Sequence, residues 1–415
     1  MHIAFLILII ILSPFQDTFL GGSPLGYLGL SPAFIFVAVL LFISLLNYLK
    51  QKPVSINPLV FLLLFYIVVV NYYGFLLHGG ETHYGEKLVV KGIKLTMLYL
   101  LFFFPFFINF EFIEKHETKV KAALFISIFI LAAGYVFGDI FRSVIVENPI
   151  FHFNERPSSR PRGFSFEPSM FSMTALSLLV SIIVFRRHSS DLKISHFFTL
   201  CVVAVLTTSK GALVCVVVSF IFAVLCNKKY KGILLYSYIF FSLILAVPVG
   251  IYLFGQVVAD IEESTSVATR MIVAFTAICS TFESPLGYGY AGYLKGFKEG
   301  FEISYGIINS IFGGVLNLFE VDSYLTAKTD RAIGTKSFFF NNIIVYGIPF
   351  MLFFVYTFFA SVKACLKYDR LDLVFAITML YCMLFLYSDG IGFYSIGVLA
   401  LLIRYEYYKE KGVSF

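Results

Sequence analysis

Tryptophan is absent from this 415-residue chain, and charge is scarce, with Asp, Glu, Lys and Arg making up 13% of it. No polar stretch is long enough to fold as a separate aqueous domain, so residues 1–415 read as one unit. No P-loop pattern occurs, which argues against an ATP-driven pump. The seven histidines show no ligand spacing and none lies between 255 and 336, so no structural zinc site is expected. Cys201, Cys215, Cys226, Cys279, Cys365 and Cys382 all sit in apolar stretches, which predicts buried thiols and no disulfide framework. The first apolar run has neither a basic start nor a small-residue cleavage site. It reads as a retained helix rather than a signal peptide.

What fills the chain instead is apolar. Hydrophobic residues reach 59% and the mean hydropathy is +0.88, far above a soluble protein of this length. Apolar runs lie near 1–20, 29–49, 58–77, 91–109, 120–140, 168–185, 194–209, 211–226, 232–254, 337–361, 371–388 and 389–403. They predict an all-α, polytopic membrane protein with about 12 transmembrane helices. The 26 tyrosines must supply whatever aromatic belt forms at the interfaces.

Basic residues set the orientation. Alternate connections carry Lys50 and Lys52; Lys115, Lys119 and Lys121; Arg186, Arg187 and Lys193; Lys228, Lys229 and Lys231; Lys363, Lys367 and Arg370; and Arg404, Lys409 and Lys411. These short segments hold 17 of the 31 Lys and Arg residues, which places them, and both termini, in the cytoplasm. An even number of spans agrees with that.

The arginines break the pattern. Six of the ten, Arg142, Arg156, Arg160, Arg162, Arg270 and Arg331, fall on the outer side, where insertion asks for no positive charge. In Arg156-Pro-Ser-Ser-Arg160-Pro-Arg162-Gly-Phe-Ser-Phe-Glu167-Pro168, two prolines stiffen an array of forked donors suited to phosphate or pyrophosphate oxygens. The plain alternative is a basic loop beside the membrane that only orients its neighbours. Thr207-Thr208-Ser209-Lys210-Gly211 joins two spans with almost no loop, so Lys210 either marks a function at the boundary or snorkels to the interface. Glu167 precedes a proline at a helix start, where a carboxylate also stabilises the helix dipole.

The longest outer connection runs from about 255 to 336, and its apolar runs at 271–282 and 303–319 have the length of interfacial or re-entrant segments. Arg270 heads the first, and Pro285-Leu-Gly287-Tyr-Gly289-Tyr-Ala-Gly292 follows it, a segment fit for a sharp turn or a close backbone approach. Gly134 and Gly138 form a GxxxG that serves either dimerisation or packing within the chain.

Arg162-Gly163-x-x-x-Glu167-Pro168 before a span, Ser209-Lys210-Gly211 in a tight outer turn, and Arg270 ahead of Pro285-Leu-Gly287-x-Gly289 together resemble the O-antigen polymerase (Wzy) family. The resemblance covers about 150–350 by motif and the remainder by hydropathy. The related ligases carry a His followed by Asn late in the large loop, and Lys336–Asn342 here contains no His. The resemblance implies a metal-independent glycosyltransferase of the bacterial inner membrane that needs no cofactor. It would join undecaprenyl-diphosphate-linked oligosaccharide repeat units on the periplasmic face. Arg156, Arg160, Arg162 and Arg270 would hold the diphosphate with help from Lys210 and Arg331, and Glu167 would take a proton from the acceptor hydroxyl. Its expected partners are the lipid-linked substrate, the bilayer and a chain-length regulator protein, with no nucleic acid. A ligase and a polysaccharide flippase or other transporter remain as alternatives.

The orientation has a direct check. A cysteine at Ser158 should react with an impermeant thiol reagent in intact spheroplasts, and one at Ser189 should not; the reverse pattern would put the arginine array in the cytoplasm.

Overall fold

Uninterrupted apolar runs must satisfy their backbone groups internally, and a helix does so within one segment. The computed structural model describes residues 2–18, 29–50, 58–80, 82–83, 86–87, 89–90, 92–93, 97, 101, 104–106, 108, 110–144, 161–165, 167–185, 192–227, 265–312, 337–386 and 394–412. Among these are 13 α-helices: α1 His2–Leu12, α2 Ala33–Lys50, α3 Pro58–His78, α4 Phe110–Lys115, α5 Glu117–Val144, α6 Pro168–Val184, α7 Ile194–Leu206, α8 Lys210–Leu225, α9 Thr265–Glu283, α10 Tyr293–Phe312, α11 Phe338–Leu366, α12 Leu371–Leu386 and α13 Tyr394–Glu410. A pairing of Thr82–His83 with Glu86–Lys87 is the only ladder among the described residues.

The all-helical class agrees with the sequence. Ten of the twelve apolar runs coincide with helices; the run at 91–109 is described in fragments and that at 232–254 lies outside the described residues. Two helices among the described residues, Glu117–Gly138 within α5 and Phe338–Leu366, are long and apolar enough to cross a membrane, and seven more are apolar but shorter. The outward faces of α3 and α5 carry Phe65, Val68, Leu76, Phe125 and Phe129, the last 74% exposed. A face of that kind is a poor match to water.

Two apolar cores share α6. Phe171, Ala175 and Leu178 join α1, α2, α5 and α13, while Met173, Leu176 and Val180 join α7, α8, α11 and α12. Residues on opposite sides of one helix therefore bind two groups of helices together. Hydroxyls inside α6 stay satisfied within their own helix: Ser172 donates to Pro168 O, Ser177 to Met173 O and Ser181 to Ser177 O.

The bundle has two distinct ends. At one, Arg370 donates through Nε and Nη2 to both oxygens of Asp372, at 2.9 and 2.8 Å, and through Nη1 to Glu410 at 2.6 Å, with Glu406 3.6 Å away. Lys409 and Lys121 both flank Glu117, Lys121 lies over the Phe185 ring, and Arg404 lies over Phe106 and Phe110. This end therefore gathers the start of α5, the end of α6, the start of α12 and the end of α13. At the opposite end, Ser337 donates to Phe385 O, joining the start of α11 to the end of α12.

Burial pulls the Arg370 pKa down, but the hydrogen bonds and charges of Asp372, Glu406 and Glu410 outweigh it and leave it above its ordinary value. Burial also raises Glu406, so ionising that carboxyl costs stability as pH rises above the ordinary carboxylate range. Arg370→Ala would strand buried carboxylates and is expected to cost about 3–5 kcal/mol, read as a fall in Tm in detergent. Glu406→Gln should be tolerated and gain stability relative to wild type from pH 5 to pH 8. A neutral Arg370→Ala would show that the network is incidental.

Candidate functional site

Among the helices that begin at the end remote from Arg370 are α6, α8 and α11, and the sequence places candidate residues at two of these starts. Glu167 is the N-cap of α6, with Pro168 in the first turn. Pro suits that place because its missing N–H has no helical partner there. The Glu167 side chain makes no capping hydrogen bond; it is exposed and accepts from Ser169 Oγ at 3.3 Å. Ser209 caps α8 by accepting from Ala212 N, and half-buried Lys210 is the first residue of that helix. Ser337 caps α11 by accepting from Phe340 N.

Packing fixes the directions. Ser177 of α6 reaches Met383 Sδ at 3.4 Å and Ser219 of α8 reaches Met379 Sδ at 3.7 Å, each nine residues into its helix. Because Phe185, the residue after α6, lies at the Arg370 end, Glu167 lies at the other. Cys215 faces Cys382 while Ser219 faces Met379, so α8 runs antiparallel to α12 and Lys210 lies with the end of α12. The starts of α6, α8 and α11 thus share one end. Aligned helix starts bring N–H groups and positive partial charge, a setting that favours anions.

Arg162 is built into this end by contacts the sequence left open. It is 5% exposed and opens a turn in which Ser165 N donates to Arg162 O at 2.9 Å. Gly163 takes φ +53°, and a Cβ there would stand 2.5 Å from the Phe171 ring. Gly138 lies against Gly163, where a Cβ would meet Gly163 O at 2.7 Å, and Gly134 lies against Phe164. The GxxxG of α5 therefore seats this turn within the chain. Phe15 stacks on Phe164, Gln16 N donates to Phe164 O at 3.0 Å, and Gln16 Nε2 donates to Thr174 Oγ1 at 2.7 Å. Asp17, fully buried, continues the same segment.

The turn before Lys210 is strained. Thr208 has φ +50°, a region that β-branched residues rarely enter. Thr207 donates to Val203 O and Ala204 O, and Ser209 N to Ala204 O, which closes α7 and lets α8 start at once.

Arg270 is half-buried in the second turn of α9. This helix packs tightly on α10: a Cβ at Gly300 would meet Thr276 O at 2.3 Å, and Thr276 hydrogen-bonds Ser304 at 2.9 Å. The Pro285–Gly292 segment between them inserts into a break in α11. Gly347 has φ +62° and Pro349 has no N–H, so the bond to Val345 O is lost; Ile348 N turns to Pro285 O at 2.8 Å, so Ile344 O is freed as well. Tyr288 N and Gly289 N fill the two carbonyls, at 3.1 and 2.9 Å. From α3, Tyr66 OH reaches Leu286 O and Tyr346 O, while Asn71 accepts from Tyr290 N and donates to Tyr346 OH.

Arg162, Glu167 and Lys210 thus share one end on neighbouring elements, and Arg270 stands on the α9–α10 hairpin. Arg156, Arg160 and Arg331 lie outside the described residues. Sequence reasoning missed Ser337, Asp17 and Asn71, although a lone acid or amide beside an apolar run was a visible signal. Among the described residues no group of three or more His, Cys, Asp or Glu could hold a metal ion. The six cysteines are free, three of them fully buried.

Gly163→Ala tests the seat of Arg162. The left-handed backbone alone is expected to cost about 1–2 kcal/mol, and the clash with Phe171 adds to it. Tm in detergent should fall accordingly; an unchanged Tm would mean the turn is not held as described.

No family model matches the chain, and no solved structure matches it. Over 363 residues, 85% of this chain and 80% of the relative, it is 25% identical to an uncharacterized 49.5 kDa protein in the cps region of Klebsiella pneumoniae.

Proposed function

We propose that this chain is a polymerase of lipid-linked oligosaccharide repeat units in the bacterial inner membrane. In this reading it crosses the membrane about 12 times with both termini in the cytoplasm, and 255–336 forms a large periplasmic loop. The relative's place in a region named for capsule polysaccharide supports a role in capsule or polysaccharide biosynthesis. The outward apolar faces of α3 and α5 support a lipid surround.

The observation that carries the reading is the shared end of Arg162, Glu167 and Lys210, opposite the Arg370 network. Positive side chains and helix starts there suit a diphosphate leaving group. In the reaction, a hydroxyl oxygen of the acceptor repeat unit attacks the anomeric carbon of the donor chain. The carbon–oxygen bond to the diphosphate breaks, and its electron pair leaves with the polyprenyl diphosphate. Arg162, Arg270 and Lys210, with Arg156, Arg160 and Arg331 of the adjoining sequence, hold the developing charge. Glu167, exposed and not engaged in capping, receives the hydroxyl proton.

The broken α11 favours a second reading, a flippase or other transporter, because such proteins build substrate sites at interrupted helices. Here the carbonyls freed by the break already accept from Tyr288 and Gly289, which supports a packing role for the interruption.

Deleting the gene separates these readings. A polymerase-null cell should display single repeat units in place of a ladder. Polymer accumulating on the lipid carrier would point to a ligase, and single units trapped on the inner leaflet to a flippase. Arg270→Ala should abolish polymer, and Arg270→Lys should leave little, since Lys keeps the charge but loses the planar fork. A full ladder from Arg270→Ala at normal protein levels would sink the role given to this residue.

A further inference from the structure

We propose that Glu299, held by Tyr288, forms a sugar-binding subsite that accepts hydrogen bonds from hydroxyl groups of the repeat unit. The inference rests on the polymerase reading and extends it to recognition of the carbohydrate.

An exposed Glu on a helix is ordinarily a free rotor, and its ion pairs contribute little. Glu299 is different. Tyr288 OH donates to its Oε2 at 2.6 Å, and Lys295 Nζ lies 3.8 Å from Oε1, one turn earlier on α10. Tyr288 is itself fixed at both ends. Its N–H is bound to Ile344 O in the α11 break, and its ring occupies a niche that only glycine leaves open. A Cβ at Gly296 would stand 2.5 Å from the Tyr288 ring, and one at Gly292 would stand 2.5 Å from Tyr288 O. The phenol is 8% exposed, whereas the Glu299 side chain is 39% exposed. A buried, immobile donor therefore aims a carboxylate that solutes can reach.

Burial, reinforced by the hydrogen bond to Glu299, keeps the Tyr288 phenol well above its ordinary pKa, so it remains a donor throughout the working range.

The chemistry selects the ligand. A carboxylate offers about four lone-pair sites, of which Tyr288 takes one and Lys295 faces another. The remaining sites suit neutral O–H donors, which make short charge-assisted bonds to an ionised carboxylate. A phosphate would be repelled, so the diphosphate does not belong here. A second pair lies on the same hairpin: Tyr293 OH donates to Asn341 Oδ1 at 2.6 Å, in the first turn of α11. That turn begins at Ser337, so the start of α10 lies toward the end where Glu167 and Lys210 lie, and Tyr288 meets α11 seven residues further in, at Ile344 O. The contacts of Gly300 with Thr276 and Ser280 set Glu299 six to ten residues along α9 from Arg270, roughly 9–15 Å at the helical rise. Sugar and diphosphate sites are thereby separate.

Two probes test this on the purified full-length protein in detergent: inorganic pyrophosphate, and the oligosaccharide released by mild acid from lipid-linked units of a polymerase-null host. Glu299→Ala should weaken oligosaccharide binding at least tenfold and leave pyrophosphate binding within twofold. Tyr288→Phe, which keeps the ring in its niche, should weaken the oligosaccharide a few-fold, and Glu299→Gln provides an isosteric variant should the alanine protein fail to fold. Oligosaccharide binding by the Glu299 variants equal to wild type, with pyrophosphate binding intact, overturns the subsite and leaves the polymerase reading standing. Wild-type protein that binds neither probe overturns both.

Discussion

Backbone exchange between the α11 break and the Pro285–Gly289 segment is the constraint on which the placement of the α9–α10 hairpin depends. An interrupted helix in an apolar interior leaves carbonyls that water cannot reach, each costing about 1–3 kcal/mol if unfilled. Pro349 and the turned Ile348 N–H leave two such groups, on Ile344 and Val345. The hairpin segment supplies two N–H donors and receives one in return. The glycines at 287 and 347 permit this exchange: a Cβ at either would stand within 2.3 Å of a carbonyl oxygen on the facing segment. The α9–α10 hairpin, and with it Arg270, Tyr288 and Glu299, takes its position from that exchange.

The two ends of the bundle solve opposite problems with charge. At the Arg370 end, a buried bidentate guanidinium is paired with buried Asp372 and Glu406 and with half-exposed Glu410, and Lys409 reaches Glu117, so the result is a junction among α5, α12 and α13. At the other end the carboxylate of Glu167 is left out of capping, and two helix starts present it and Lys210 to the surroundings. Internal pairing serves cohesion, whereas aligned helix starts carry positive partial charge, which in the proposed reading serves binding. The same chain therefore uses Arg370 structurally and Arg162, in the proposed reading, chemically.

Much of this was legible in the residues, for definable reasons. Helix positions followed from apolar runs, because a run of that length has few other ways to satisfy its backbone. The tight turn at Thr207–Lys210 and the helix start at Pro168 followed from turn and capping chemistry. The glycine segment at 285–292 was readable as a close approach but not for its target, since nothing local names the carbonyls of Ile344 and Val345. The GxxxG at Gly134 and Gly138 carried two meanings, and only the fold showed that it seats Gly163 and Phe164. Tyr288 and Glu299 left no pattern at all, because their spacing of eleven residues acquires meaning only when a turn folds one onto the other.

The glycine placements share a logic that links packing to chemistry. Gly138 and Gly163 let two backbones touch beneath Arg162, and Gly292 and Gly296 let a helix close over the Tyr288 ring. In both cases a side chain is removed so that a polar one nearby can be held with little freedom. Fixing an Arg or a Glu in advance lowers the entropy lost on binding, which matters most for long side chains with many rotamers. In the proposed reading, an apolar protein with few charges reaches specificity by making a small number of polar groups rigid, and Gly138, Gly163, Gly292 and Gly296 are as much part of that as the arginines.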